Sequence, residues 1–192
     1  SIDIGLWRHV SLSINRKKIY IFGGSGRDKV KTNNMFVFDP ITETITKIDQ
    51  KGTIPNPRSD GCACVVGGNK IYFFGGSNAA VMPENDLYVF DLETNTWSLV
   101  EVSQNSVKNK TFPHPRSAAT LSHCNGMLIL HGGGVWAKTH WSKSFNTIHI
   151  FDLSTREWLP IQMPEYKNPS AGTFPVTCAF DHYVLVFGEI GR

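Results

Sequence analysis

No stretch of this 192-residue chain approaches the roughly 18–20 consecutive apolar residues that a membrane-spanning helix needs. Nor does a basic segment lead into an apolar one near the first residue, so no secretion signal is visible; a targeting segment, if there is one, lies outside the chain. Charge of one sign is scarce as well. Nineteen Lys and Arg against sixteen Asp and Glu leave a net charge of +3, too little to mark a nucleic-acid binder, which concentrates cations on one face. Cysteine is sparse and unpaired in sequence: Cys62, Cys64, Cys124 and Cys178 form no C-x-x-C, so the close ligand spacing of a zinc site is missing. Each stands in or beside an apolar stretch, as a small buried hydrophobe does, which points to a reducing, cytoplasmic setting. Seven histidines are scattered without ligand spacing, so neither a metal nor another cofactor is expected. Finally, no segment spaces its apolar residues for three helical turns, and essentially no helix is expected.

What the chain has in quantity is turns and repetition. Seventeen Gly and ten Pro punctuate short runs of β-branched and aromatic residues. The run Lys18-Ile-Tyr-Ile-Phe-Gly-Gly24 recurs as Lys70-Ile-Tyr-Phe-Phe-Gly-Gly76 and as Met127-Leu-Ile-Leu-His-Gly-Gly133. From Gly24 to Gly76 is 52 residues, and from Gly76 to Gly133 is 57. A fourth copy, Tyr183-Val-Leu-Val-Phe-Gly188, carries Glu189 in place of the second glycine. A second block keeps step with the first: Asn34 to Asp39, Asn85 to Asp91 and Asn146 to Asp152, each followed by a turn and a strand holding Ile45, Trp97 or Trp158. A third block, Trp7-Arg8, Pro57-Arg58 and Pro115-Arg116, precedes each glycine pair.

Together these blocks resemble the kelch repeat: an Arg entering strand A, strand B ending in Gly-Gly, an aromatic on strand C and a Trp on strand D. The resemblance covers nearly the whole chain and implies an all-β fold, a kelch β-propeller of four-stranded antiparallel blades. Blade 1 is placed at about 7–49, blade 2 at about 58–102, blade 3 at about 116–162, and the start of blade 4 at about 172–188. Asn15-Arg16, Gly67-Gly68 and Asn125-Gly126 suit the tight A–B hairpins. Asp39, Asp91 and Asp152 suit the turn into strand D, where a carboxylate accepts from backbone N–H groups two residues on. The second glycine of each pair is expected where a Cβ would be hindered, and Tyr88 and Trp97 are expected between blades. Because propellers close with about 4–8 blades, the chain is expected to join further blades of the same parent chain in a ring of six or seven.

Strand alternation puts the B–C and D–A connections on one face, and these are the long, variable ones. Loops on a rigid scaffold carry function, so a protein partner is expected there, as an acidic or phosphorylated segment. In ligand-binding kelch domains similar to this one, arginines matching Arg8, Arg58 and Arg116 contact acidic partner peptides; a guanidinium pairs bidentately with carboxylates. The competing reading is that each arginine holds the rim together through loop carbonyls. The remaining candidates lie in the B–C loops: Trp136, Lys138, His140 and Trp141 in the longest, Arg27 at a basic tip, and Ser77 and Asn78 in the second. No catalytic residue is expected, since neither a Gly-x-Ser-x-Gly elbow nor a phosphate-binding loop occurs, nor the Glu-x-x-x-Asp-x-x-x-His string of kelch specifier proteins. The spacers Gly52-Thr-Ile-Pro-Asn-Pro-Arg58 and Thr111-Phe-Pro-His-Pro-Arg116 are similar to those of kelch proteins such as Rab effectors and kelch-bearing phosphatases. A regulatory region of a larger enzyme, such as a serine/threonine protein phosphatase, is therefore the alternative to a free-standing binding module.

Overall fold

The computed structural model describes residues 5–137, 140–160, 175–180 and 183–187. Alternating apolar residues and φ > 0 turns fold the first repeat into four antiparallel strands in sequence order: β1 (Val10–Ile14), β2 (Lys18–Phe22), β3 (Met35–Asp39) and β4 (Thr44–Lys47). The A–B turn has positive φ at both Asn15 (52°) and Arg16 (56°), the backbone twist that a two-residue hairpin requires. After it come two short strands, β5 (Lys51–Gly52) and β6 (Arg58–Ser59). The second blade is β7 (Cys62–Val66), β8 (Lys70–Phe74), β10 (Leu87–Asp91) and β11 (Thr96–Leu99); between them β9 (Ser77–Asn78) pairs with β6. A short helix, α1 (Gln104–Lys108), precedes the third blade: β12 (Ser117–Cys124), β13 (Met127–Ala137), β15 (Ile148–Asp152) and β16 (Glu157–Leu159), with β14 (His140–Ser144) folded back on β13. A last hairpin, β17 (Val176–Phe180) and β18 (Tyr183–Phe187), stands where a fourth blade begins.

The blades bury their faces against one another. On β8, Ile71 and Phe73 point to the first blade, where they pack with Ile14, Phe22 and Met35. Phe74, one position on, faces the third blade and meets Leu121, Leu128 and Leu130. Alternation along one strand therefore feeds two cores. Trp97, 1% exposed, closes the first core: its ring centroid lies 4.7 Å from that of Phe22 and 4.9 Å from that of Phe90. Trp158 repeats the arrangement against Phe74 and Phe151. In the first blade Ile45 takes the tryptophan's place opposite Phe38.

Local chemistry follows the repeat. Asp39, Asp91 and Asp152 each accept through Oδ1 from the N–H two residues on, at 2.9, 3.0 and 2.7 Å. Gly24, Gly76 and Gly133 have φ of +93°, +91° and +80°, and a Cβ on any of them would lie within 3 Å of a backbone carbonyl oxygen. Gly52 of the first spacer has a separate reason: β5 runs parallel to β11, so close that a Cβ would meet the Trp97 carbonyl.

The fold is all-β as expected apart from α1, which is only five residues long, too short for apolar periodicity to reveal it. Ser103 caps it, its side chain accepting from the Asn105 N–H. The long third B–C connection is a β-ribbon rather than an open loop: β13 continues past its glycine pair, and Trp136 pairs with Trp141 across the hairpin.

Candidate functional site

Strand A of each blade enters along the inner rim, where β1, β7 and β12 lie next to one another. The entering segments are stitched together by backbone: the Asp60 N–H donates to the Arg8 carbonyl at 2.9 Å, and the Ala118 N–H to the Asp60 carbonyl at 2.7 Å. These three residues share a left-handed backbone, with φ of 57°, 58° and 55°. Arg8 is thus the counterpart of Asp60 and Ala118. The residue that corresponds to Arg58 and Arg116 is Leu6, and Trp7 stands where Ser59 and Ser117 stand.

That register changes the reading of the rim arginines. Arg58 is 1% exposed; its guanidinium donates to both oxygens of Asp86 (2.6 and 2.9 Å), to the Gly75 carbonyl and to the Asn56 carbonyl. Arg116, also 1% exposed, repeats the pattern on the carbonyls of His114 and Gly132. In place of a carboxylate it finds Thr147 Oγ1 and His149 Nε2, and its guanidinium lies 4.2 Å from the centroid of the Phe145 ring. Burial pulls its pKa down to about 10. The same burial, with Arg116 alongside, holds His149 near 4, so it is a neutral acceptor at pH 7. Arg58 and Arg116 therefore tie strand A to strands B and C, with no donor left facing solvent. Their expected contact with a partner is replaced by the rim-holding role.

Arg8, freed from that role by its shifted register, has a side chain 45% exposed. It stacks over Trp7, 4.8 Å from the ring centroid, and its Nη1 is 3.5 Å from Asp60 Oδ2. Both residues open onto a cavity of about 160 Å³ shared by three blades. Its walls combine Lys29, Lys31, Ser25, Ser59, Ser77 and Trp136 with Trp7, Arg8 and Asp60. Three cations against one carboxylate give this mouth a positive balance. Lys31 is partly buried; its Nζ donates to Ser77 Oγ and to the carbonyls of Ser77 and Asn78, at 2.8–2.9 Å. Its desolvation lowers the lysine's pKa, and Asp60 works in the opposite direction. The lysine thereby locks the first B–C loop onto the second.

The other sequence candidates divide. Trp136 and Ser77 are in the cavity wall. Asn78 instead shapes its own loop, its Oδ1 accepting from the N–H groups of Ala80 and Met82. Arg27 is exposed at its loop tip and is not part of the cavity wall. His140 and Trp141 lie on β14, in register with Ala137 and Trp136, while Lys138 falls outside the described residues. Sequence reasoning reads Lys29 and Lys31, with Arg27, as a basic and mostly solvated loop tip rather than a cavity wall, and it assigns no site role to Trp7 or Asp60. A signal existed: Arg58 lies 18 residues before Gly76, and counting 18 back from Gly24 reaches Leu6, not Arg8. Cys62 and Cys64 are buried free thiols, and desolvation raises both, Cys64 to about 12, so neither is a nucleophile. Among the described residues no group of three or more His, Cys, Asp and Glu is placed to hold a metal ion, and no helix is long and apolar enough to cross a membrane.

Comparison with known proteins agrees with this geometry. Residues 7–191 match the family model of the KLHDC2/KLHL20/DRC7 Kelch-repeats domain. Acyl-CoA-binding domain-containing protein 4 of Arabidopsis thaliana is 31% identical over 174 residues, 90% of this chain and 24% of that protein. N-(sulfonatooxy)prop-2-enimidothioate sulfolyase of Thlaspi arvense is 31% identical over 149 residues, 76% of this chain and 40% of the enzyme. The human Rab9 effector protein with kelch motifs is 31% identical over 131 residues, 66% of this chain and 33% of the effector. The chain thus spans between about a quarter and two fifths of the length of these relatives.

Proposed function

We propose a protein-binding role for this chain from the premise that it belongs to the kelch-repeat family. Its cavity at the inner rim holds an acidic segment of a partner. The observation that carries this reading is Arg8: a half-exposed guanidinium, stacked on Trp7, at the mouth of a cavity with Lys29 and Lys31 in its wall. A cation with open donors beside aromatic surface suits a carboxylate or phosphate on an extended peptide. Exposed Val30, Val81 and Met82 stand on the same B–C loops and supply apolar contact for residues flanking the anion. The relative described as a Rab9 effector matches this chain over only a third of its own length, which supports an interaction module in the service of a larger protein. A regulatory region beside a catalytic domain, a phosphatase among the possibilities, would use the same mouth.

Amide and indole resonance mapping with a short glutamate-rich peptide tests the site. Shifts are expected at Trp7, Arg8, Lys29, Ser59 and Trp136, weakening with salt as screening predicts. Shifts confined to the opposite face, around Asp39 and Asp91, would overturn the assignment.

A further inference from the structure

The least expected group at this mouth is an anion. Asp60 occupies the inner-rim position that Arg8 holds in the first blade and Ala118 in the third, so the backbone there does not require a carboxylate. Its side chain is 6% exposed and lies in the wall of the cavity. Oδ2 accepts from Ser59 Oγ at 2.8 Å and is 3.5 Å from Arg8 Nη1, the long limit of a hydrogen bond. Oδ1 is buried with no hydrogen-bond partner among the described residues. A buried carboxylate oxygen left without a donor is costly, so its presence calls for an explanation.

Resting on the reading of the mouth as an anion-binding site, we infer that Asp60 is its specificity-determining residue, selecting a singly charged carboxylate over a phosphate. Any anion that pairs with Arg8 comes within a few ångströms of the Asp60 carboxylate. Repulsion from that carboxylate scales with the charge brought in. A glutamate or aspartate brings one negative charge, whereas a phosphorylated side chain brings about 1.5–2 at pH 7. Asp60 also limits how much of the Arg8 charge is available, because the two are already partial partners. The bare Oδ1 is an acceptor for a donor that the occupant supplies, and a backbone N–H next to an acidic residue is such a donor. The occupant inferred is therefore a peptide carboxylate with its flanking N–H groups.

The test uses the whole chain, its Asp60→Asn variant and two synthetic peptides that differ only in a central glutamate or phosphoserine. Asn keeps an acceptor, removes the charge and tolerates positive φ. Asp60→Ala, which copies Ala118, is the second variant should the first fold poorly. Dissociation constants are read from the Trp7 indole resonance. Wild type is expected to bind the glutamate peptide at least as tightly as the phosphoserine peptide. Asp60→Asn is expected to improve phosphoserine binding about tenfold and glutamate binding about threefold or less, following their charge. Equal changes for both peptides, or none, would overturn the role of Asp60 while leaving the anion site standing. Failure of wild type to bind either peptide would instead overturn the anion site itself, and this inference with it.

Discussion

Arg58 holds Asp86 by two parallel hydrogen bonds, 2.6 and 2.9 Å, with the arginine side chain 1% and the aspartate 23% exposed. The pair joins the start of strand A to the start of strand C in the second blade, and Arg116 does the same work in the third with neutral acceptors. An arginine for which sequence reading leaves open a partner contact or a rim-holding role is thus occupied by its own chain.

Removing that arginine should therefore cost stability. Arg58→Ala leaves the Asp86 carboxylate and the Gly75 carbonyl without their donor, a loss of about 2–4 kcal/mol given that Asp86 keeps some contact with water. Urea denaturation measures it. Arg116→Ala should lower the midpoint as well. A midpoint unchanged in both variants would show that the guanidiniums do not hold the rim.

Two glycines, one of a pair and one in a hairpin turn, offer a graded comparison. Gly76 and Gly126 both have positive φ, but a Cβ on Gly76 would meet the Ser59 carbonyl at 2.7 Å, while nothing lies within 4 Å of one on Gly126. Gly126→Ala should cost only the backbone strain, about 1 kcal/mol. Gly76→Ala should cost about 2–3 kcal/mol or more, because the inner-rim strand must shift as well. Equal losses in thermal melts would contradict the close approach.

Mild acid should weaken the fold through its buried histidines. Burial depresses His149 to about 4 and lowers His131 too, both with Arg116 alongside, against about 6.5 in the unfolded chain. Between those values the unfolded state takes up the proton first, so stability present above pH 6.5 is lost as pH falls toward 4. For His149 alone the slope approaches about 1.4 kcal/mol per pH unit. Urea midpoints at pH 7, 6 and 5 should fall in wild type and fall less steeply in His149→Gln. Parallel profiles would show that His149 is protonated without cost.

The repeat was legible in the sequence because its parts are local: glycine pairs, tight A–B turns such as Asn125-Gly126 and aspartate-opened turns each depend on two to four neighbouring residues. The register of the rim was not. Arg8 occurs near the right place, and a one-letter match outweighed the two-residue offset that only the inter-blade ladder from Arg8 to Asp60 to Ala118 exposes. The basic loop holding Lys31 was legible, but its meeting with Asp60 at one cavity was not, since that depends on how two blades stand side by side. The Trp136 hairpin escaped because residues rich in Lys, Ser and Thr read as loop, although alternation with Val135, Trp136 and Trp141 lets them pair.

Arg8 is the most direct test of the whole account. Its side chain is 45% exposed and its contact with the buried Asp60 carboxylate is long, at 3.5 Å, so its contribution to stability is about 1 kcal/mol or less. Titration calorimetry of wild type and Arg8→Glu with a glutamate-rich peptide, alongside their melting temperatures, separates binding from folding. The account predicts at least a tenfold loss of affinity, in line with truncated charge contacts at interfaces, with a melting temperature within about 3 °C of wild type. Undiminished affinity in Arg8→Glu would contradict it.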